Sequence, residues 1–241
     1  MVLRFPTVSF PDGLPPFQVP RKLTGVFREY SRWLDILDVG TMESLHRKVA
    51  EGKALETILI SEALHAQRFA RIAEEVASRP DVRLVCMAGP SGSGKTTSAH
   101  RLKVQLQVCG KRPVALSLDD YFVDRAHTPR DEKGNYDFEA LEALDLDLIN
   151  DQLARLLVGE EVRLPRFDFI TGKRILGRSL RLGADDILIL EGIHGLNDRL
   201  TEAVEDERKF RIFVSCLTGV NFDLHNRTST TDNRLLRRLV R

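Results

Sequence analysis

The eight residues GPSGSGKT at positions 89–96 constrain this chain more than any other segment. They fit the pattern GxxxxGK[ST], in which glycines let the backbone curl until successive N–H groups point at phosphate oxygens. An apolar run at 82–88 precedes the motif and a helical pattern follows it, so a helix N-terminus would face the same anion. The motif therefore predicts a loop that binds the phosphates of a nucleoside triphosphate. Its contacting residues would be Gly89, Ser91, Gly92, Ser93, Gly94, Lys95, Thr96 and Thr97.

Two side chains of the motif carry the chemistry of phosphate binding. Lys95 is expected to reach the β- and γ-phosphates, and the hydroxyl of Thr96 is expected to ligate Mg²⁺. The alternative is a glycine-rich turn with a surface lysine. The strand pattern before the motif and the helical pattern after it favour the phosphate-binding interpretation.

Short apolar segments alternate with helical ones along the rest of the chain. Such alternation predicts an α/β fold of the P-loop NTPase type, with a parallel sheet flanked by helices on both faces. The residues at 162–182 alternate as in a hairpin, with Thr171-Gly172 as its turn. Strands are predicted at 82–88, 113–118, 187–190 and 210–215, and helices at 94–108 and 138–158.

The first 80 residues show a different pattern. Residues 1–20 are rich in proline and predict an extended lead-in, whereas 22–78 carry apolar residues at helical spacing, with Gly40 and Gly52 as stops. We therefore predict two regions. The first is a lead-in with a mainly helical N-terminal extension at 1–80, to which we assign no chemistry beyond docking, and the second is a P-loop domain at 81–241.

Charge and composition argue against several classes of function. The 241 residues carry a formal net charge of +1, which disfavours bulk attraction to nucleic acid or to a membrane. Three cysteines without a CxxC pair argue against a disulfide framework or a zinc site, and six scattered histidines show no metal-ligand spacing. No apolar run reaches membrane-spanning length. We predict a cytoplasmic protein that binds a small molecule; whether it forms a homo-oligomer is left open.

Carboxylates stand where two predicted strands end. Asp119 and Asp120 follow the strand at 113–118, and Glu191 follows the strand at 187–190. Ligands of open parallel sheets bind beyond the carboxyl ends of the strands, so these acids are candidates for the phosphate site. One could help to hold Mg²⁺ and one could accept a proton from a hydroxyl. The alternative is that the aspartates form a turn or cap a helix and that the glutamate caps the next turn.

A helical pattern begins at Thr231 and places basic and apolar residues on opposite faces. Only one acid, Asp232, lies among the arginines, so they gain little from pairing along the helix. They suit clamping of a transferring phosphoryl group or of a substrate, although a solvated face explains them equally well. The basic face holds Arg234, Arg237, Arg238 and Arg241, and the apolar face holds Leu235, Leu236, Leu239 and Val240.

Five segments follow one another along the chain in this order: GPSGSGKTT, SLDDYF, LPRFDF, LILEGIHGL and TDNRLLRR. Together they resemble the phosphoribulokinase/uridine kinase family of P-loop kinases, over residues 83–241. The stretches LTGVFREYSRW, SEALHAQRFARIA and NYDFEALEALDLDL are similar to bacterial-type uridine kinase-like proteins that carry a long N-terminal extension. The resemblance implies a kinase that uses ATP and Mg²⁺ and phosphorylates a hydroxyl of a small molecule, in the first instance a nucleoside.

The resemblance also implies roles for single residues. Asp119 would be the general base, Phe167 would flank the nucleoside base, and Asp168 would lie near the sugar. Arg234 and Arg237 would contact substrate and phosphates. The implied catalytic residues are Lys95, Asp119 and Arg237, the substrate-binding residues are Asp119, Tyr121, Phe167, Asp168 and Arg234, and the Mg²⁺ ligands are Thr96 and Glu191.

Two departures from the family pattern leave the acceptor open. Uridine kinases have a tyrosine where Phe167 stands and a base-contacting histidine at the position of Gly172, which has no side-chain donor. The chain also ends at Arg241, within the arginine-rich segment, so we expect a domain that is incomplete at its C-terminus. The alternatives are a kinase of another small alcohol or of a sugar phosphate, and a nucleotide-binding regulatory protein with weak or vestigial kinase activity. A GTPase is disfavoured because no NKxD-type motif occurs.

Overall fold

The computed structural model describes residues 20–217 and 219–240, together with residues 8, 11, 13 and 14. Most of the lead-in predicted at 1–20 lies outside the described residues. Three helices open the continuous part of the chain: α1 spans Arg21–Leu37, α2 spans Met42–Ala50 and α3 spans Ala54–Ala77. They confirm the predicted helical N-terminal extension.

The breaks between these helices have local causes. The chain leaves α1 at Asp38, whose backbone is left-handed with φ 51°. The hydroxyl of Thr41 then accepts a hydrogen bond from the N–H of Ser44 and caps the start of α2, as serine and threonine commonly do. Gly52, with φ 74°, follows α2 in the other left-handed position of this region. The two glycines predicted as stops, Gly40 and Gly52, both lie in these connections.

Six strands follow in the described part of the chain, and four of them form the central sheet. The sheet is parallel, with the order β2, β5, β1 and β6, while β3 and β4 pair as a separate antiparallel hairpin. In this register Ser117 lies beside Glu191 and Ala88 lies beside Gly192, so the carboxyl ends of three strands meet at one edge. The strands are β1 (Leu84–Ala88), β2 (Arg112–Ser117), β3 (Glu161–Asp168), β4 (Lys173–Arg181), β5 (Asp186–Gly192) and β6 (Lys209–Phe213).

Helices cover both faces of the sheet. Helix α4 spans Lys95–Val108, α5 spans Leu146–Leu157 and α6 spans Thr230–Leu239. Successive side chains of β1 and β5 point to opposite faces, and the two faces have separate apolar cores. One core includes residues of α3 and α4, and the other includes residues of α5 and of the hairpin. This arrangement confirms the predicted α/β fold. None of the helices in the described part of the chain is long and apolar enough to cross a membrane.

Helix α3 contributes to the core of the sheet as well as to the N-terminal region. Phe69, Ala73 and Val76 are buried in the same apolar cluster as Val85 of β1 and Leu102 of α4. The last turns of α3 therefore pack as part of the α/β layer. The domain boundary predicted at residue 80 stays a prediction.

The helix predicted at 138–158 is shorter than expected, because α5 begins only at Leu146. The backbone before it is used in tertiary contacts: Leu144 pairs with Phe122 as an isolated bridge, and the N–H of Asp145 donates to the carbonyl of Tyr121. The carboxylate of Asp145 then accepts from the N–H of Leu148 at 3.0 Å and caps α5. The apolar spacing of 138–145 was compatible with a helix, and these contacts override it.

Candidate active site

The phosphate loop joins the end of β1 to the start of α4, as the motif predicts. Gly92 and Gly94 have positive φ values of 77° and 96°, which side chains rarely adopt. A Cβ atom at Gly89 would overlap the carbonyl oxygen of Val214, which follows β6. Glycine is therefore required at these positions by backbone conformation or by close approach.

Two side chains of the loop have unused hydrogen-bonding capacity. The hydroxyl of Ser93 is buried and has no hydrogen-bond partner within the described chain. The ammonium of Lys95 donates one long bond, of 3.4 Å, to the carbonyl of Pro90. Burial lowers the pKa of Lys95, while Glu191 and Asp119 oppose that shift. A buried donor without a partner is costly, and an oxyanion in the loop would satisfy both groups.

The carboxylates predicted at the strand ends converge on this loop because β2 and β5 are neighbours. Glu191 is 8% exposed, and its Oε1 accepts hydrogen bonds from the hydroxyls of Thr96, at 3.1 Å, and Ser117, at 3.3 Å. The same Ser117 hydroxyl accepts from the N–H of Asp119 at 3.3 Å. Thr96, Ser117, Asp119 and Glu191 thus form one polar group beside the loop.

Two carboxylates, those of Glu191 and Asp119, face the ammonium of Lys95 in this polar group. Burial raises the pKa of Glu191, and Asp119 raises it further, against the hydroxyl of Thr96 and the ammonium of Lys95. Burial also raises the pKa of Asp119, which Lys95 lowers and Asp120 raises. A second cation here would stabilise both carboxylates in their ionised form.

The donor set suits Mg²⁺. A hydroxyl and a carboxylate, from Thr96 and Glu191, are hard oxygen ligands in mutual contact. The described residues contain no cluster of three or more His, Cys, Asp or Glu that could hold a metal. Magnesium at phosphate sites needs none, since it takes one or two carboxylates and completes its octahedron with phosphate oxygens and water.

Asp120, the rival of Asp119 in the sequence, faces a different neighbour. Its Oδ1 accepts from the N–H of Phe167 at 3.4 Å, so it contacts the hairpin. Burial raises its pKa, and the bond from Phe167 and the nearby Arg166 lower it. Asp119 is the member of the pair whose charge interacts with Lys95.

Three of the residues predicted to bind substrate make contacts within the protein. Phe167 is 4% exposed and packs edge-on against Phe122 and Phe169, with ring centroids 5.6 and 5.1 Å away. The hydroxyl of the buried Tyr121 donates to Gln152 at 2.9 Å. The carboxylate of Asp168 accepts from the hydroxyl of Thr171 at 2.8 Å and organises the hairpin turn. Substrate contact by Tyr121, Phe167 and Asp168 stays a prediction.

A small pocket opens beside Asp119, and most of its lining was missed in the sequence. Two of its walls are the rings of Phe122 and Phe138, which pack edge-on at 5.4 Å. Nε2 of His194 lies 2.8 Å from the carbonyl oxygen of Glu139, and because a carbonyl can only accept, Nε2 carries the proton. Five of the seven lining residues lie within the SLDDYF and LILEGIHGL segments, and that position was the available signal. The lining residues are Leu118, Asp119, Phe122, Phe138, Leu144, Ile193 and His194.

The arginines of α6 are turned towards the phosphate loop. Arg234 Nε donates to the carbonyl of Ser91 at 2.6 Å, and Arg237 Nε donates to the carbonyl of Gly92 at 3.2 Å. Arg238 Nη2 donates to the hydroxyl of Ser91 at 3.0 Å. The fourth predicted arginine, Arg241, lies outside the described residues. The apolar face of α6 is exposed, at Leu235, Leu236, Leu239 and Val240.

A parallel sheet with a glycine-rich loop between its first strand and a helix defines the class of phosphate-loop nucleotide-binding α/β proteins. The comparison with family models narrows this class. Residues 84–227 match the model described as the Phosphoribulokinase / Uridine kinase family. The chain belongs to this family.

Curated relatives of the chain are named uridine kinases. That of Chlamydia pneumoniae is 28% identical over 158 residues, which cover 66% of this chain and 63% of the relative. That of Lactobacillus helveticus is 33% identical over 139 residues, 58% of this chain and 64% of the relative. That of Schizosaccharomyces pombe is 35% identical over 131 residues, 54% of this chain and 28% of the relative. The chain thus spans less than two thirds of the length of each.

Solved structures that match the chain in part include a possible uridine kinase from Bacillus stearothermophilus. It is 26% identical, with a TM-score of 0.45, over 56% of this chain and 71% of that one. The D-glycerate 3-kinase from Cryptococcus neoformans is 19% identical, with a TM-score of 0.36, over 54% of this chain and 52% of that one.

Proposed function

We propose that this chain is an ATP-dependent kinase that transfers the γ-phosphoryl group to a hydroxyl of a small molecule. The observation that carries the proposal is the convergence of Lys95, Asp119 and Glu191 on one phosphate loop, where each alters the pKa of another. Kinases need these parts together: a cation for the phosphates, a carboxylate for Mg²⁺ and a carboxylate for the acceptor hydroxyl. The names of the relatives favour a nucleoside as acceptor, and this identity stays a prediction.

The chain's own groups divide the work in this proposal. The N–H groups of the loop and the ammonium of Lys95 bind the phosphates, and the free hydroxyl of Ser93 gains a partner. Thr96 and Glu191 hold Mg²⁺, which when bound neutralises charge on the phosphate oxygens. The pocket beside Asp119 takes the acceptor, and Asp119 orients its hydroxyl and accepts its proton.

The arginines of α6 complete the proposed site. In this structure Arg234 and Arg237 donate to carbonyl oxygens of the loop that the phosphates would approach. A phosphate oxygen carries more negative charge than a carbonyl oxygen and is the stronger acceptor for a guanidinium. Arg234 and Arg237 would therefore exchange these carbonyls for phosphate oxygens when ATP is bound.

Replacement of Asp119 by asparagine tests the proposal. Asp119→Asn keeps the shape of the side chain and removes the base, so acceptor-dependent ADP release should fall by about 10²–10⁴-fold. The dissociation constant for ATP, measured by calorimetry, should remain within about threefold of the original value. A tenfold change would correspond to about 1.4 kcal/mol of binding free energy. Asp120→Asn is the matched control, because an amide oxygen can still accept from Phe167, and it should retain most of the activity. Unchanged turnover in Asp119→Asn would rule out the assigned base.

The same assay separates the second candidate, a nucleotide-binding regulatory protein. The observation that favours it is the contact between the N-terminal helices and the segment before α6, where the N–H of Met42 donates to the carbonyl of Asn221 at 2.9 Å. A regulatory protein would bind ATP and release ADP slowly, at a rate that no acceptor changes. A kinase would release ADP in proportion to the acceptor.

A further inference from the structure

The turn of the β3–β4 hairpin is covered by an arginine from another segment. Gly172 is buried and has a φ of 67°. A Cβ atom at this position would lie 2.7 Å from both Cζ and Nε of Arg125, and 2.9 Å from its Cβ. Such contacts are shorter than real Cβ atoms make, and one of the three atoms is the Cβ of the arginine, which cannot swing aside as the guanidinium could. No side chain can stand at position 172 while Arg125 keeps this place.

Two hydrogen bonds hold Arg125 in place, and only one of them uses an N–H of its guanidinium. Its backbone N–H donates to the carbonyl of Gly172 at 2.8 Å, and its Nη2 donates to the carbonyl of Phe169 at 2.8 Å. A guanidinium has five N–H groups, and only one of them is used here among the described residues. The arginine is therefore fixed in position with most of its hydrogen-bonding capacity free.

The carboxylates near Arg125 are committed to other donors. Asp124 accepts from the N–H of Arg174 at 2.8 Å, and Asp168 accepts from the N–H of Ile170 and the hydroxyl of Thr171. Nearby, Arg174 itself pairs with Asp145 at 2.6 Å, whereas no carboxylate oxygen of the described chain lies within 4 Å of the Arg125 guanidinium. Arg125 is thus a half-buried cation without a counter-ion.

This cation is joined to the wall of the Asp119 pocket through two aromatic residues. Phe169, whose carbonyl Arg125 contacts, packs edge-on against Phe122 at 6.2 Å. Phe122 in turn lines the pocket that contains Asp119. A molecule whose hydroxyl reaches Asp119 along this wall would present its far end to Arg125.

We propose that Arg125 determines acceptor specificity and that the acceptor is not a neutral nucleoside but carries an anionic group, a phosphate or a carboxylate, besides the hydroxyl that is phosphorylated. This inference rests on the proposed function, since it takes the pocket of Asp119 as the acceptor site. A guanidinium binds either oxyanion through paired hydrogen bonds, and it lacks such a partner here. Gly172 leaves the space in which the arginine is held.

Matched pairs of neutral and anionic compounds test the proposal: glycerol with glycerate, and ribose with ribose 5-phosphate. Binding to the full chain is measured by calorimetry with Mg²⁺ and a non-hydrolysable ATP analogue, and turnover by ADP release. At least one anionic compound should bind ten or more times more tightly than its neutral partner. The carboxylate pair and the phosphate pair distinguish the two sources of charge.

Three variants link the preference to Arg125. Arg125→Gln should weaken binding of the anionic compound at least tenfold and narrow its advantage over the neutral partner. Gly172→Ala should do the same, because its methyl group displaces the guanidinium. Arg130→Gln is the control, since this exposed arginine also donates to a backbone carbonyl, that of Gly134 at 2.6 Å, and it should keep the preference. Arg125→Lys, which keeps the charge, should retain part of the preference.

The outcomes separate this inference from the proposed function. The inference is overturned if no anionic compound is preferred by the original chain, or if folded Arg125→Gln and Gly172→Ala proteins keep the preference. Efficient phosphorylation of uridine that Arg125→Gln leaves unchanged would also overturn it. Tight binding of an anionic compound without acceptor-dependent ADP release would instead contradict the proposed function and leave the role of Arg125 supported.

Discussion

At the scale of the residue, the buried carboxylate of Glu191 carries an electrostatic cost in the folded protein. Glu191 is nearly buried at the end of β5, and burial raises its pKa above the ordinary value. The native chain therefore binds a proton that the unfolded chain has lost in the interval between the ordinary and the raised pKa. As pH rises through that interval the free energy of unfolding falls, because the folded chain keeps Glu191 protonated while the unfolded chain ionises it. Above the interval the cost of burying the ionised carboxylate persists.

Glu191→Gln should therefore stabilise the nucleotide-free protein at neutral pH while it abolishes Mg²⁺-dependent transfer. The amide can still accept from Thr96 and Ser117 but carries no charge to desolvate. Thermal unfolding at pH 7.5 should occur a few degrees higher, given about 2–4 °C per kcal/mol for a chain of this size. The gain should vanish below the ordinary glutamate pKa of about 4.3.

Glu142→Gln is the control for this measurement. Glu142 is exposed, and hydrogen bonds from its own backbone N–H and from Arg199 lower its pKa. Its replacement should give no stabilisation at pH 7.5. Equal melting of Glu191→Gln and the original chain at neutral pH would contradict the cost assigned to Glu191.

At the scale of the element, the phosphate loop is fitted against the end of β6. The N–H of Val214 donates to the carbonyl of Ala88 at 2.7 Å, and the carbonyl of Val214 lies against Gly89. A Cβ atom at Gly89 would overlap the carbonyl oxygen of Val214, a backbone atom that cannot move aside as the end of a side chain could. The loop can keep this position only with glycine at its first residue.

Gly89→Ala should therefore destabilise the fold by about 1–3 kcal/mol, the usual cost of overpacking, and should weaken ATP binding. Gly25→Ala is the matched control, because Gly25 lies inside α1 and an added Cβ meets nothing within 4 Å. That change should stabilise the protein by about 0.5–1 kcal/mol. Urea unfolding measures both values, and similar stabilities of the two variants would refute the close approach.

Several elements could be predicted from the sequence because their signals are local. The motif ending in Lys95-Thr96 needs only adjacent residues, and the Thr171-Gly172 turn follows from the alternation on both sides. The start of α5 at Leu146, and not at residue 138, could not be predicted, since Leu144 pairs with Phe122 across a distance in sequence that periodicity does not report. The cover of Gly172 by Arg125 escaped for the same reason.

At the scale of the whole molecule, the N-terminal extension contacts three parts of the α/β fold. Phe69, Ala73 and Val76 enter the core of the sheet, and Glu62 pairs with Arg101 of α4. In α1, the ring of Phe27 lies under the Arg227 guanidinium, 5.0 Å from its Cζ. The sequence showed helices here but not their partners, because apolar spacing marks a buried face without naming what covers it.

Val76→Ala should lower the stability of the entire fold by about 1–3 kcal/mol, within the range for truncated core side chains. Val76 is fully buried against the sheet, so its loss should appear in the single unfolding transition that reports on β1 and β5. Ile58→Ala, at an exposed position of the same helix, should change stability by less than about 0.5 kcal/mol. Separate transitions for the extension and the sheet would contradict this coupling, as would equal effects of the two variants.

The stretch of chain from Val214 to Arg238 leaves the phosphate loop and returns to it. At one end of this segment the N–H of Val214, just after β6, donates to the carbonyl of Ala88. At the other end Arg234, Arg237 and Arg238 donate to oxygens of the loop. The Val214 bond continues the pairing of β6 with β1, whereas the arginine bonds end on oxygens beside the phosphate site. A phosphate bound in the loop would therefore compete for the arginines and leave the bond between Val214 and Ala88 in place. We therefore expect the arginine end of this segment, and not its Val214 end, to change its contacts when the loop is occupied.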